Sequence, residues 1–504
     1  MLVTTLMPAA LGGSWFYFLL ALTAGAILFN LCSMAYYTYF HALRKIPGPW
    51  LPASSSLWIR WQRWHGNLAF ATDEFLSRYG PVVRISPNMV VINDTPSLQA
   101  IFARQDLDTA PTAVRALRIG GHDWTVTFPQ NDIARDRRRP VMFATTTKAM
   151  RYWHPIFEDN VHKMIRELGQ SHGERSEDIV YHLRLATFQN STVVMAGSHT
   201  RLEPDNFPHT VGEYNFLVVW RLCLPEWIFE WLKWSPFSGA RFRVRSSDAL
   251  YHLGEAVCQE AERADPADPD EVPTLYKLLL EKKGNHIDWS HSAISAEMAG
   301  QILAATETTS SALTFIFYEL AKNQSLFKEL QKELLKNPGN HSLDRLKLLC
   351  ACISEGLRFR PPVAFTASRV APAGGIDVFG HYLPAGTVLA TQSLSMSRQR
   401  PDLFPNYDVF DPTRWLNDDD LSERRKHSAP FGVGARRCPG GNMALYQMRL
   451  ILAEVVRAFD VTIAPETTPD SMRPFEANGF RSRYDRCRLI FSPCAVADTA
   501  EIKI

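Results

Sequence analysis

The first forty residues contain no Asp, Glu, Lys or Arg. Within them, residues 15–40 form a nearly continuous apolar and aromatic stretch that is interrupted mainly by Asn30. A helix that crosses a bilayer needs about 20 apolar residues, so this stretch is long enough to cross with some tilt. A cleaved signal peptide has a basic start and a shorter apolar core, and a buried core helix usually keeps a polar face. The stretch therefore predicts a single membrane span.

The residues that follow the span indicate its orientation. Aromatic side chains within 36–40 are typical of a membrane–water interface, and Arg44 and Lys45 come directly after them. Positive charge at this point favours the cytosol for everything C-terminal to the span. Residues 46–52 are rich in proline and cannot continue the helix. We therefore expect a membrane anchor at 1–45 and a large second domain at 46–504.

The composition of the whole chain indicates the class of protein and excludes some kinds of partner. Hydrophobic residues make up 46% and charged residues 21%, which is typical of a globular protein. The net charge of +2 provides no broad cationic surface, so we expect no nucleic acid partner. The eight cysteines are irregularly spaced, and Cys350-Ala351-Cys352 lacks a second pair of metal ligands. This pattern favours a reducing compartment over a disulfide framework.

The second domain has the sequence pattern of a mostly helical fold. Two apolar runs between Gly80 and Asn93 flank a turn and predict a β-hairpin. Short strand signals return around 376–391 and near the C-terminus. Apolar residues at helical spacing predict helices near 155–170, 240–263, 290–323, 325–336, 342–359 and 440–458. The expected fold class is mainly α with a small β portion.

The segment 207–237 contains four tryptophans among many aliphatic residues: Trp220, Trp227, Trp231 and Trp234. One interpretation is a surface that dips into the bilayer and borders a substrate entrance. The other is ordinary core packing. The sequence supports both equally.

The most informative residues form the run from Phe431 to Gly440, which reads Phe-Gly-Val-Gly-Ala-Arg-Arg-Cys-Pro-Gly. Glycines allow a tight loop, and a helix is expected to start near Gly440. A thiolate at Cys438 would lie before that helix, where the helix dipole and backbone N–H groups lower the proton affinity of sulfur. The pattern is that of a metal-binding thiolate that faces a flat cofactor.

This loop resembles the cysteine-ligand signature of the cytochrome P450 family at its defining positions. The resemblance implies that Cys438 is the axial iron ligand of haem b (iron protoporphyrin IX). It also implies that Phe431 packs near the sulfur and that Arg436 pairs with a haem propionate. A thiolate ligand pushes electron density onto iron and favours O–O cleavage.

The resemblance also implies the architecture and the location. The expected fold is the cytochrome P450 fold, preceded by one transmembrane helix. The chain is similar to microsomal members, which implies a single-pass protein of the endoplasmic reticulum membrane whose catalytic domain at 46–504 faces the cytosol. Its motifs look like those of fungal members that serve secondary metabolism.

A second motif places Glu355 and Arg358 on one helical face. Such a pair is usually only a solvated ion pair. Here Pro361-Pro362 and the later run Phe410 to Trp415 follow, and the set resembles the family's Glu-Arg-Arg cluster. The resemblance implies that Glu355, Arg358 and Arg414 have a structural role, because buried charges must satisfy one another.

A third motif, Ala304-Ala305-Thr306-Glu307-Thr308-Thr309, lies within the expected 290–323 helix. A carboxylate beside a hydroxyl suits a helix interior poorly. In the family this acid–alcohol pair relays protons during oxygen activation, so Glu307 and Thr308 are the candidate catalytic residues. Ala305 replaces the family's usual glycine.

Two further arginines match cofactor-contacting positions of the family. Arg369 corresponds to an arginine that faces a haem propionate, for which bidentate guanidinium–carboxylate pairing gives the physical reason. In the basic run 135–139, Arg137 is the candidate for haem contact, although the Trp or His common there is not in register. The same run could instead form a docking face for an acidic reductase.

The resemblance implies a monooxygenase that uses NADPH indirectly, through a membrane-bound flavoprotein reductase, and acts on a lipophilic substrate. Two alternatives remain. A haem-thiolate isomerase or dehydratase would rearrange a peroxide, but such members tend to lack the acid–alcohol pair. A haem-binding sensor without turnover would not need that pair either.

Overall fold

The structure is a computed structural model, and it describes residues 9–103, 107–197, 202, 206–263, 272–281, 289–365, 368–417 and 419–494. Residues 1–8 of the expected anchor lie outside the described residues. The helices of the described parts, in chain order, are α1 (Ala9–Tyr39), α2 (Trp50–Ser54), α3 (Leu57–Trp64), α4 (Leu68–Tyr79), α5 (Thr95–Leu98), α6 (Pro111–Arg115), α7 (Asn131–Ala144), α8 (Thr147–Gly169), α9 (Ile179–Ala196), α10 (Phe207–Cys223), α11 (Trp227–Leu232), α12 (Ser238–Arg263), α13 (Leu275–Glu281), α14 (His291–Lys322), α15 (Gln324–Lys336), α16 (Lys347–Phe359), α17 (Ser393–Arg398), α18 (Leu421–Lys426) and α19 (Gly441–Ala458).

The strands form two small sheets and two hairpins. The strands are β1 (Val82–Ser86), β2 (Met89–Ile92), β3 (Ser176–Asp178), β4 (Arg369–Val370), β5 (Ile376–Val378), β6 (His381–Leu383), β7 (Val388–Ala390), β8 (Phe459–Ile463), β9 (Pro474–Ala477), β10 (Gly479–Ser482) and β11 (Arg488–Pro493). One sheet has the order β1-β2-β7-β4, with β2 and β7 parallel, and the other has the order β3-β11-β8. The pairs β5–β6 and β9–β10 are antiparallel hairpins. The fold is mainly α with a small β portion, as the sequence predicted.

Most of the helix and hairpin predictions are confirmed, including the β1–β2 hairpin. Two boundaries differ. Helix α8 begins at Thr147, well before residue 155, because Pro155 lies inside the helix and does not start it. The expected 342–359 helix is a short 3₁₀ turn at Leu343–Arg345 followed by α16.

Helix α14 is the centre of the main hydrophobic core. Its apolar residues surround nearly the whole helix, so it must be covered on several sides. It packs against α9, α12, α16 and α19. Gly254 lets α12 cross α14 closely, since a Cβ atom there would lie 2.1 Å from the carbonyl oxygen of Ser295. The mid-helix residues of α14 are thereby fixed relative to α9 and α19.

In the structure, the two halves of the segment 207–237 match different interpretations. The residues of α10 are mostly buried in the main core. In contrast, α11 and the residues after it expose Trp227, Trp231, Trp234 and Phe237, and the side chain of Trp234 is 86% exposed. Core packing therefore explains the first half, and the second half is an apolar surface.

The apolar N-terminal helix is firmly joined to the rest of the chain. The described part of α1 includes Tyr17–Tyr39, which is long and apolar enough to cross a membrane. Arg84 of β1 is 1% exposed and donates to the carbonyl oxygens of Tyr37 and Pro87, at 3.1 and 2.7 Å. Its guanidinium also lies 3.3 Å from Nδ1 of His41. These bonds attach the end of α1 to the β1–β2 hairpin.

Candidate functional site

The loop before α19 holds Cys438 by backbone contacts. Gly432 and Gly434 adopt positive φ angles of 68° and 72°, a conformation that favours glycine. The N–H of Cys438 donates to the carbonyl oxygen of Phe431 at 2.8 Å, which closes the loop. The ring of Phe431 packs beside Gly441, where a Cβ atom would come within 3.3 Å of it. The sequence therefore forms a tight turn that presents one thiol at the start of a helix.

The electrostatic surroundings of this thiol differ in part from the expectation. The side chain of Cys438 reaches open space, yet protein atoms enclose it on most sides. Burial raises the pKa of the Cys438 thiol, while the N–H groups of Gly440 and Gly441 and the charges of Arg138 and Arg437 lower it. Burial outweighs these effects, so the expected lowering of proton affinity is wrong for the thiol on its own. The predicted N–H donors are present.

Two of the predicted arginines line one cavity beside the loop. Arg369 and Arg436 border this cavity together with Gly432 and Val433. Arg369 is buried, and its Nη1 lies 3.4 Å from Oγ1 of Thr109. Arg436 donates to Oδ1 of Asn131 at 2.6 Å and to the carbonyl oxygens of residues 128 and 129. Two cations therefore converge next to the cysteine loop.

Arg137, the predicted haem contact, has an acidic and an aromatic partner within the protein. It is fully buried, forms an ion pair with Glu297 of α14 at 3.1 Å, and stacks on Trp289 at 4.0 Å. Its neighbour Arg138 is the arginine of the run whose charge acts on Cys438. Successive helical residues point about 100° apart, so one step along α7 changes the partner. The haem contact of Arg137 stays a prediction, and Arg138 is a second candidate for it.

The middle of α14 has one incompletely covered face. Residues 304, 305 and 308 are half-buried, whereas the residues between and around them are buried. Positions i, i+1 and i+4 lie on one side of a helix. The hydroxyl of Thr308 lies on this side and donates to the carbonyl oxygen of Ala304 at 2.8 Å. Thr308 is thus placed where it can contact a bound molecule.

Glu307 points to another side and belongs to a buried network of charges. Its two carboxylate oxygens accept from Arg184 of α9 at 2.8 and 3.0 Å and from Arg481 of β10 at 2.7 Å. Both arginines also pair with Asp485. Burial raises the pKa of Asp485, but Arg184 and Arg481 outweigh burial and hold it below its ordinary value. The network thus holds two cations and two anions and keeps Glu307 fixed.

Sequence reasoning missed Arg184 and Arg481. A signal existed for the first, because Arg184 interrupts a helix whose neighbouring residues are largely apolar. A lone arginine in such a helix indicates a buried acidic partner. Nothing local in the sequence marks Arg481.

The predicted Glu355–Arg358–Arg414 cluster is confirmed. Glu355 is completely buried and accepts from Arg358 at 2.7 and 2.8 Å and from Arg414 at 3.1 Å. The indole N–H of Trp415 and the backbone N–H of Asp411 complete its set of donors. One carboxylate therefore joins α16 to the segment that precedes α18.

Comparison with known proteins finds a matching family and similar proteins. The family model described as "Cytochrome P450" matches residues 47–483. The averantin hydroxylase of Dothistroma septosporum is 26% identical over 461 residues, which is 88% of this chain and 85% of the relative. The cytochrome P450 monooxygenase phqL of Penicillium fellutanum is 25% identical, over 89% of this chain and 79% of the relative. The solved structure of cyanobacterial CYP120A1 with bound retinoic acid superimposes with a TM-score of 0.69 and 21% identity, over 83% of this chain and 93% of that one.

Proposed function

The chain belongs to the cytochrome P450 family and is a monooxygenase, and we propose that it inserts one atom of dioxygen into a lipophilic small molecule. The observation that carries this proposal is the thiol of Cys438, which a glycine loop and the backbone N–H groups at the start of α19 hold beside open space. The fungal origin of similar proteins supports a role in secondary metabolism. Electrons would come from NADPH through a flavoprotein reductase.

The residues present fit a haem. A Cβ atom at Gly432 or Gly440 would meet nothing within 4 Å, so the loop leaves room for a flat group beside the sulfur. Cys438 would bind the iron through its sulfur, and Phe431 lies in the same loop. Arg369 and Arg436 would hold the propionates, because guanidinium groups suit carboxylates. When bound, haem supplies the activation of dioxygen.

We assign the proton-handling role to Thr308 and Glu307. The Thr308 hydroxyl can turn from the Ala304 carbonyl and pass its proton, from Oγ1, to a basic oxygen of a molecule bound on the half-covered face of α14, while a chain of water molecules returns a proton to Oγ1. Glu307 lies on the preceding position and is held between two arginines. We expect it to orient the water that replaces the Thr308 proton.

A reconstitution experiment tests the proposal. The full chain is combined with haem, a purified flavoprotein reductase and a panel of lipophilic substrates, and NADPH consumption, product and peroxide are measured. We expect product only in the presence of NADPH and dioxygen.

Thr308→Ala should keep the haem and consume NADPH, but release most of the electrons as peroxide because the proton donor is lost.

The matched control is Thr314→Ala, since Thr314 lies on the same helix and its hydroxyl makes the same bond to the carbonyl four residues earlier. It should remain coupled. Turnover of a hydroperoxide without dioxygen would favour the isomerase alternative, and haem binding without any turnover would favour the sensor. Unchanged coupling in Thr308→Ala would remove Thr308 from the mechanism.

The exposed basic residues of α7 support the proposal that the flavoprotein reductase contacts this helix. The side chains of Arg135 and Arg139 are 53% and 62% exposed, whereas Arg137 and Arg138 are buried. Exposed cations attract an acidic partner, and salt screens that attraction. In the reconstitution, the reduction rate should therefore fall as salt is added.

We also propose that the protein is anchored in the endoplasmic reticulum membrane by residues 1–45, with residues 46–504 on the cytosolic side. The apolar helix α1 supports the anchor, and its attachment through Arg84 would fix the catalytic domain against the bilayer. The exposed aromatic surface of α11 supports a second contact with lipid, because tryptophan favours the membrane interface.

This membrane contact can be measured with brominated lipids, which quench tryptophan. The full chain is inserted into phosphatidylcholine vesicles, and the quenched share of tryptophan emission is compared with that of the triple variant Trp227→Phe, Trp231→Phe and Trp234→Phe. We expect the quenched share to fall, while Trp153→Phe, in the core, leaves it equal or higher. An undiminished share in the triple variant would mean that α11 stays in water.

A further inference from the structure

The two arginines that hold Glu307 are themselves held by a second carboxylate. Arg184 donates to both oxygens of Asp485, through Nη1 and Nη2, at 2.8 Å each. Nη1 of Arg481 lies 3.2 Å from Oδ2 of the same carboxylate. Asp485 belongs to the turn between β10 and β11, so it approaches the arginines from a different element than Glu307 does. Within the described residues, neither arginine has a third acidic partner.

Backbone carbonyl groups of α10 complete the surroundings of the two arginines. Nη1 of Arg184 lies 3.3 Å from the carbonyl oxygen of Pro208, and Nη1 of Arg481 lies 3.3 Å from that of Gly212. Gly212 also leaves room for the second carboxylate, since a Cβ atom there would lie 2.9 Å from Oδ2 of Asp485. Each arginine therefore has acceptors that do not come from α14.

Glu307 is less completely bonded than Glu355, the other buried carboxylate that binds two arginines. Five N–H groups lie within 3.1 Å of the oxygens of Glu355, whose side chain is completely buried. From the described residues, three N–H groups lie within 3.0 Å of Glu307, and only that of Arg481 is on Oε1. The side chain of Glu307 is 9% exposed. A carboxylate oxygen accepts two bonds, so Oε1 of Glu307 keeps one position for a water molecule.

The second carboxylate balances the charge of this network. With Asp485, two anions face two cations, whereas without it both guanidinium groups would be directed at one carboxylate and would compete with water for its oxygens. A buried excess charge is also unfavourable in itself. We propose that Asp485 is a positioning residue of the proton relay: it shares the two arginines with Glu307, so that Oε1 of Glu307 stays available to the water that serves Thr308. This inference rests on the proposed function and adds a residue to it.

The test compares Asp485→Asn with the wild type in the system reconstituted with haem, reductase and NADPH. Asp and Asn both tolerate the left-handed backbone of residue 485, whose φ is 56°, so the change removes a charge without adding strain. We expect the peroxide formed per product to rise about tenfold, the effect of one lost charge-assisted hydrogen bond, while the KM for the substrate stays unchanged. This ratio does not depend on the amount of folded protein. The control Asp470→Asn, which removes the exposed partner of Arg483, should behave like the wild type.

A charge-balancing second change separates this role from a purely structural one. Arg481→Gln alone leaves two anions on one cation, and Asp485→Asn alone leaves two cations on one anion. Both single variants should therefore have a lower midpoint of urea unfolding, which is measured on the full chain without substrate or reductase. The double variant has equal charges again, so its midpoint and its peroxide-to-product ratio should return close to those of the wild type. A purely structural role of Asp485 predicts that the two losses of stability add.

A wild-type ratio of peroxide to product in Asp485→Asn would overturn the inference. A double variant that binds haem but stays uncoupled would overturn it as well, even if Asp485→Asn fails to fold. Absence of product from the wild type with every substrate would instead refute the proposed function and this inference with it. Normal coupling in the wild type together with normal coupling in Asp485→Asn would count against Asp485 alone.

Discussion

Cys438→Ala should remove the thiolate-type Soret band of the reduced carbon monoxide complex and abolish substrate oxidation. The sulfur of Cys438 is the ligand that we assign to iron, and the two residues next to it, Arg437 and Pro439, supply no replacement ligand. Without a thiolate, the electron donation that favours O–O cleavage is lost. The measurement is the difference spectrum of the dithionite-reduced protein with and without carbon monoxide.

The control for this change is Cys350→Ala, which removes another free and partly exposed thiol on α16. Its spectrum should equal that of the wild type. A protein that kept the thiolate-type band after Cys438→Ala would refute the ligand assignment and, with it, the oxygen-insertion mechanism. Folding of both variants is checked by far-ultraviolet circular dichroism, so that a loss of signal through unfolding cannot be mistaken for a loss of ligand.

The features that the sequence predicted are those that depend on neighbouring residues. The turn at Gly432 and Gly434, the helix after Cys438 and the Glu355–Arg358 pair each arise within a few positions of the chain. Local backbone conformation and helical spacing determine such features. Arg414 was also predicted as a partner of Glu355, but only because its surrounding motif resembles that of a known family.

The charge network around Glu307 was not predictable in the same way. Its partners Arg184 and Arg481 are 123 and 174 residues away along the chain. Only the packing of α9 and the β9–β10 hairpin against α14 brings them together. The acid and the alcohol were predicted as one relay, and the helix points them in different directions: Thr308 lies on the half-covered face of α14, and Glu307 faces the arginines.

The basic run of α7 shows a related limit. The resemblance gave Arg137 as its haem contact, which stays a prediction, while Arg138 is the arginine of the run whose charge acts on Cys438. Which of five consecutive residues points there depends on the rotation of α7 about its axis. Neighbouring elements fix that rotation, here through the pairing of Arg137 with Glu297 and its stacking on Trp289. A sequence pattern gives the helix and its charge, but not this angle.

Glu355→Ala should destabilise the folded protein strongly. The change leaves the guanidinium groups of Arg358 and Arg414 buried without their carboxylate, and it also deprives the N–H groups of Asp411 and Trp415 of an acceptor. Removal of one partner from a buried ion cluster typically costs about 3–5 kcal/mol. We expect the free energy of unfolding in urea to fall by about this amount, and the purified protein to lose haem.

A loss of stability without a loss of coupling distinguishes this structural role of Glu355 from a catalytic one. Glu355→Gln keeps an oxygen acceptor for Trp415 or Asp411 and removes only the charge, so it should lose less stability than Glu355→Ala. Glu329→Ala, on the exposed face of α15, should leave the unfolding midpoint unchanged. Any Glu355→Ala protein that retains haem should still couple NADPH to product, because Glu355 contacts neither the α14 face nor the cysteine loop. A stable Glu355→Ala protein with uncoupled turnover would contradict the structural role and place this carboxylate in the reaction itself.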